Sequence, residues 1–252
     1  MKKIFSSLFA VVLCFSVTPS GADQVMRSGP FKVSLVEAYT SEGCSSCVPA
    51  WRRLSQLNDD PGLWNNFVPV GFHVDYWDYL GWKDPLAQKR FSDRQHAYAA
   101  FWGKGSIYTP GFVLNGKEWR SWNDPKVLNN LSKELTGNLN LELKQDNVIR
   151  ISFHPQTQNR EEDTYTAHIA LLAFGVVSDI AAGENSGRKA KHDFAVVAYT
   201  EERLTSDFNG TLNTETKLEF PANRPFPKKG IAVWVTRLGD MTPIQTVGGI
   251  YN

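Results

Sequence analysis

The chain has 252 residues, of which 42 % are hydrophobic, with 27 Lys and Arg against 26 Asp and Glu. That length allows one large or two small domains. The charge balance excludes a nucleic-acid binder built on a basic surplus, and no polybasic tail offers itself to anionic lipid.

Taken in chain order, residues 1–22 read as a segment outside the fold. Lys2 and Lys3 form a basic start, residues 4–17 are apolar almost throughout, and Ser20, Gly21 and Ala22 are small. This pattern predicts a cleaved secretory signal ending near Ala22, and a periplasmic or secreted mature protein with no membrane anchor. The apolar run is short for a bilayer span. Leu13 stands before Cys14, where a lipoprotein signal requires a small residue. Two of the 27 basic residues leave with the signal, so the mature chain carries 25 against 26, net −1. Cys14 leaves too, and only Cys44 and Cys47 remain of the three cysteines.

Residues 33–39 are β-prone, and a helix is expected from about Cys44 to Asn58, stopped by Asp60, Pro61 and Gly62. Residues 67–74 form a fully apolar strand, which makes the unit βαβ with parallel strands. Asp84 and Pro85 open a second expected helix reaching about Trp102. Residues 111–114, Asn115-Gly116 and residues 117–120 read as a hairpin with a two-residue turn. Asn123, Asp124 and Pro125 are expected to cap a last helix that Gly137 ends. From Leu139 onward only strands are expected, at residues 139–143, 148–153, 165–177, 194–199, 215–220 and 231–237. The predicted architecture is a thioredoxin-like α/β domain over 23–137, a parallel βαβ plus an antiparallel hairpin. An all-β sandwich-like domain over 138–252 follows it.

Cys44 and Cys47 carry the chemistry. A thiol at a helix N-terminus meets unpaired N–H groups and the positive end of the macrodipole, which favour thiolate. As a staple the pair is poor, since so short a loop stabilises by roughly 2 kcal/mol, against about 4.7 for a 100-residue loop. Zinc would need two further ligands, and the mature chain has no second cysteine pair. Cys44, expected nearer solvent, is the candidate nucleophile and Cys47 the resolving thiol. Pro110, preceded by Thr109, is expected in cis beside the cysteines, with Thr109 presenting free backbone to a substrate strand. The plain alternative is an ordinary trans turn proline.

Other candidates stand beside bland alternatives. Glu37 is a candidate proton acceptor for Cys47, unless strand alternation turns it away. His73 and Asp75 end the second parallel strand and would shuttle a proton or, with Cys44 and Cys47, hold copper(I). The alternative for His73 is a histidine merely satisfied by hydrogen bonds. Tyr76, Trp77, Tyr79, Trp82 and Trp102 would wall a peptide groove, with Tyr76 and Trp77 touching substrate, or simply pack between helix and sheet. In the 183–188 loop, a tight turn competes with a reading in which Glu184, Arg188 and His192 face the cysteines.

Residues 36–47, with Glu37, Glu42, Gly43, Cys44 and Cys47, together with residues 72–85, Tyr108-Thr109-Pro110 and the 183–188 loop followed by His192, resemble the DUF1223 family of exported bacterial proteins. The resemblance implies a thioredoxin-like domain plus a β-rich domain. Val48 stands where the motif usually carries proline. The expected function is a thiol–disulfide oxidoreductase acting on protein or small thiol substrates. No cofactor is expected beyond the Cys44–Cys47 pair. The alternatives are a copper(I)-handling protein using Cys44, Cys47 and His73, or a non-catalytic interaction module.

Overall fold

The computed structural model describes residues 23–124, 126–157 and 164–251. The expected signal segment, with Cys14, lies outside them, as does Pro125. The strands are β1 (Gln24–Arg27), β2 (Ser34–Thr40), β3 (Phe67–His73), β4 (Gly111–Leu114), β5 (Lys117–Glu118), β6 (Gly137–Leu143) and β7 (Val148–Pro155). They continue as β8 (Tyr165–Phe174), β9 (Val176–Asp179), β10 (Lys189–His192), β11 (Ala195–Ser206), β12 (Leu212–Lys217), β13 (Lys228–Arg237) and β14 (Gln245–Tyr251). The helices are α1 (Val48–Gln56), α2 (Lys89–Phe101) and the short α3 (Lys126–Asn129).

The predicted fold class needs correction. Twelve of the strands form one mixed sheet, and the helices are few, so the architecture is mostly β rather than a thioredoxin-like α/β domain followed by a separate sandwich. The physical reason is pairing across the expected boundary. β1 pairs antiparallel with β6, and Ala195 of β11 bridges Gly71 of β3 in parallel, with Gly71 N–H donating to Phe194 O at 2.7 Å. Strand edges that would have ended a small α/β sheet are thereby continued, which satisfies their backbone groups.

The parallel pair itself forms as expected, with Ser34 opposite Phe67 and Thr40 opposite His73. All seven residues of β2 and all seven of β3 are buried, as befits strands covered on both faces. β4 runs antiparallel to β2 and turns into β5 through Asn115 and Gly116, both at positive φ. A Cβ on Gly116 would come within 2.9 Å of Thr242 Cα, so glycine is required there for space as well as conformation.

Two expected helices are shorter than read. The segment after Asp84 turns before it coils, because Asp84 Oδ1 accepts Leu86 N–H at 2.9 Å and His73 O accepts Gln88 N–H at 3.2 Å. The helix expected up to Gly137 ends at Asn129. Residues 134–136 instead run extended against 30–32, with Lys32 N–H donating to Glu134 O at 2.8 Å and Thr136 N–H to Pro30 O at 3.0 Å. Tertiary pairing overrides local helical preference there. Three strands carry too little apolar alternation to have been expected: β1, β10 and β14.

Candidate functional site

The site begins where β2 ends. Cys44 is extended (φ −97°, ψ 113°), residues 45–47 make one tight turn, and α1 follows from Val48 with Pro49 in its first turn. Pro49 suits that position because its missing N–H is one a helix start cannot satisfy internally. Thr109-Pro110 is cis. The Thr109 carbonyl lies over the turn, accepting the Ser46 hydroxyl at 3.3 Å and the Cys44 thiol at 3.8 Å. The Thr109 hydroxyl accepts the Trp77 indole N–H at 2.8 Å. Trp77 also packs against the backbone of Gly43, where an added Cβ would meet Trp77 Cβ at 2.9 Å.

Both cysteines are free thiols and neither has solvent exposure. The cover comes from the second half of the chain. Ile180 and Ala190, on the arms of the β9–β10 hairpin, join Trp51 and the two cysteines in one apolar cluster flanked by Val48, Trp77 and Trp82. Their acidities nevertheless diverge. The Cys44 thiol is lowered to about 6, chiefly by the hydrogen bond from the Cys47 thiol, with the Ser46 and Thr109 side chains and the Cys47 N–H adding to it against the cost of burial. Cys47 is pushed well above an ordinary thiol, first by burial and then by the Cys44 hydrogen bond and charge. The Ser46 Oγ sits 3.1 Å from Cys44 Sγ.

The 183–188 loop closes over the same turn. Glu184 accepts Ser45 N–H at 2.9 Å, taking one of the N–H groups at the head of the cysteine turn, and this holds its carboxyl below the ordinary value. Asn185, fully buried, donates through Nδ2 to Glu42 O at 2.8 Å and to Cys44 O at 2.9 Å. Arg188 presents its side chain elsewhere, along the groove between α1 and β10.

Beneath the turn lies a buried tetrad. His192 Nε2 donates to Glu42 Oε1 at 2.9 Å, and His73 Nδ1 meets Asp84 Oδ2 at 2.7 Å. The two imidazoles cross edge to face at 4.7 Å, and His192 also meets Trp51 at 5.0 Å. Glu42 further accepts the Trp82 indole N–H at 2.8 Å, while its backbone N–H donates to Asp84 at 2.8 Å. Burial pulls the His73 imidazole down, yet the charge and hydrogen bond of Asp84 outweigh it and leave it raised. At His192 burial prevails and the value is lowered. The tetrad ties the cysteine loop to β3 and to β10.

Other expected site residues fall elsewhere. Glu37 does not back Cys47. Along β2, Thr40 faces α1, where its hydroxyl accepts Trp51 Nε1 at 2.7 Å, so the alternation turns Glu37 to the opposite face. There its carboxylate takes Arg94 Nε at 2.8 Å, Tyr39 OH at 3.0 Å and Tyr98 OH. Asp75 accepts the Ser92 hydroxyl at 2.5 Å. Tyr76 stands beside Trp77 and donates to Gln95 at 3.2 Å, and Tyr79 is exposed. Trp102 stacks on Tyr98 and donates to Gly116 O at 2.9 Å. The aromatic group is thus divided: Trp77 and Trp82 pack against the cysteines, Tyr76 lies beside Thr109 and near enough to the thiols to feel their charge, and Tyr79 and Trp102 lie apart. Among the described residues, no group of three His, Cys, Asp or Glu side chains is placed to hold a metal ion. Glu42 and Asn185 were missed as individuals, although both lie inside motifs the sequence made conspicuous.

Residues 35–236 match the family described as "Protein of unknown function (DUF1223)". No curated protein matches the chain. Among solved structures, protein AGR_C_4864 of Agrobacterium tumefaciens is similar at 20 % identity and a TM-score of 0.59, over 87 % of this chain and 94 % of that one. HBP35 of Porphyromonas gingivalis is similar at 13 % identity, also with a TM-score of 0.59, over 87 % of this chain and 75 % of that one. At such identities the likeness is one of fold.

Proposed function

The chain belongs to the DUF1223 family, and we propose that it is an exported thiol–disulfide oxidoreductase acting through Cys44 and Cys47 on disulfide-bearing proteins or small thiols. The observation that carries this reading is the split acidity of two neighbouring thiols. Cys44 at about 6 is thiolate at neutral pH, while Cys47 is held protonated. Exchange requires an attacking thiolate and a partner kept in reserve, and two hydrogen-bonded free thiols in the turn that leads into α1, under the Thr109 carbonyl, supply that arrangement.

In the reducing direction, the Cys44 thiolate attacks one sulfur of a substrate disulfide. An S–S bond forms between them, and the substrate's other sulfur leaves as thiolate. Cys47 then gives up its proton, the thiolate left by the substrate being one acceptor, and attacks Cys44 Sγ. The mixed disulfide breaks, the second substrate sulfur leaves, and the protein holds a Cys44–Cys47 disulfide. Two electrons have passed from the protein thiols to the substrate. The reverse sequence oxidises a dithiol. Ser46 orients and stabilises the attacking sulfur through its 3.1 Å contact. Ser45 and Ser46 are exposed, so the cover between Cys44 and a substrate sulfur is thin.

The test is trapping. The Cys47→Ser variant, incubated at pH 7.5 with a disulfide-bearing peptide, should accumulate a stable mixed disulfide at Cys44, read by intact mass. The unmodified protein should release both peptide thiols, and Cys44→Ser should form no adduct. Absence of the adduct in Cys47→Ser would sink the proposal.

A further inference from the structure

A groove of about 590 Å³ runs between α1 and β10. Its floor is Val48, Trp51 and Ala190, which pack in the same apolar cluster as Cys44 and Cys47, so groove and thiols share a wall. Its rims carry Arg52, Arg188, Lys189 and Lys191, and no carboxylate lines it. In a chain of nearly balanced charge, that is a local concentration of positive charge. Lys189 and Lys191 have only long contacts, an exposed one to Asp179 at 3.5 Å and one to the buried Asp193 at 3.9 Å. With both lysines largely in solvent and the contacts this long, such pairs hold weakly. Arg52 and Arg188 have no carboxylate partner among the described residues.

A second observation is independent of charge. β10 pairs with β9 alone, in a two-stranded sheet separate from the large one. The backbone groups on its outer edge therefore have no strand partner, and an edge of this kind is a template for an extended segment. A small polyanion would use the cations and ignore the edge, whereas an extended acidic polypeptide uses both.

We propose that this groove receives an extended, acidic segment of the partner polypeptide, laid along the edge of β10 with its carboxylates between Arg52, Arg188 and Lys191. The proposal rests on the exchange reading for its purpose, which is to hold a protein substrate beside Cys44, but its binding chemistry does not depend on that reading.

The probe is a fluorescein-labelled decapeptide alternating Glu and Val, free of cysteine, titrated by anisotropy into the mature chain carrying Cys44→Ser and Cys47→Ser. The acidic probe should bind, and a Lys–Val counterpart should not. Adding Arg52→Glu and Lys191→Glu should weaken binding by about tenfold or more, since two attractions become repulsions. If that variant is not folded by circular dichroism, raising salt from about 0.05 to about 0.5 M on the parent should give the same loss by screening. A probe N-methylated at alternate residues should bind much more weakly. Equal binding of acidic and basic probes, indifference to both charge reversal and salt, or equal binding of the N-methylated probe or of a DNA oligonucleotide of matched charge, overturns the proposal. The exchange reading is checked separately with the parent chain, its cysteines intact, and hydroxyethyl disulfide, a small neutral substrate whose turnover does not need the groove. Absence of that turnover counts against exchange and leaves the docking result standing.

Discussion

Replacing Asn185 with alanine is the sharpest probe of how the second half of the chain controls the thiols. Asn185 has no solvent exposure, and its Nδ2 satisfies the carbonyls of Glu42 and Cys44, themselves on fully buried residues. Alanine strands the Glu42 carbonyl and leaves Cys44 O with the Cys47 N–H alone, at 3.1 Å. A buried polar group left unpaired costs about 1–3 kcal/mol. Against that, Asn185 Oδ1 is buried without a hydrogen-bond partner, and its removal returns part of the cost. The net loss should be roughly 1–2 kcal/mol, a fall of about 0.5 M in the urea midpoint at an unchanged slope near 2–3 kcal/mol/M. The local effect should exceed the global one in consequence. The amide ties the 183–188 loop to the cysteine turn, so its loss should ease opening around Cys44, which has no solvent exposure when the turn is closed. Lowering the opening free energy by about 1.4 kcal/mol raises the alkylation rate about tenfold. Iodoacetamide labelling of reduced protein at fixed pH, followed by mass, measures this directly. Asn185→Asp keeps the size but loses the donor, and should behave no better than alanine. A stability change below about 0.5 kcal/mol together with an unchanged Cys44 rate would refute the reasoning.

Three further predictions follow from the charges. Cys44 should alkylate with a pH midpoint near about 6, while Cys47 in a Cys44→Ser background stays unlabelled at neutral pH. Because the folded value lies below the unfolded thiol's, near 8.5, Cys44 contributes stability that is present above the unfolded value and lost as pH falls through about 6. Between those limits, urea melts of reduced protein should gain stability with rising pH relative to Cys44→Ser, and a flat difference would contradict the assignment. Glu37→Gln leaves the buried Arg94 guanidinium without its closest carboxylate, and should cost about 3 kcal/mol or more in the same melts. It should leave the Cys44 midpoint in place, and a moved midpoint would return Glu37 to the thiol site.

What the sequence made legible is what local chemistry controls. The β2–turn–α1 order, the parallel partner β3 and the Asn115-Gly116 hairpin each rest on periodicity or on one residue's conformational freedom, and each is present. Glu37 shows the limit within a single strand. Alternation gives two faces but does not say which is which until Thr40 is seen to meet Trp51. The single sheet was not legible, because the pairings of Gly71 with Ala195 and of β1 with β6 join segments more than 100 residues apart, and no local pattern encodes them.

The same distance separates the two parts of the site. The cysteine turn leaves a backbone N–H at Ser45, carbonyls at Glu42 and Cys44, and a buried carboxylate at Glu42. Glu184, Asn185 and His192 answer each of them in turn. A turn with those groups open would present its thiols to solvent and its helix N-terminus to any anion. Closed by a hairpin from the other half, it presents instead a thin serine cover beside a basic groove. On the proposed exchange reading the reactive chemistry therefore belongs to residues 44–47, but access to it, and by the groove's position the choice of what approaches, belongs to residues 180–192.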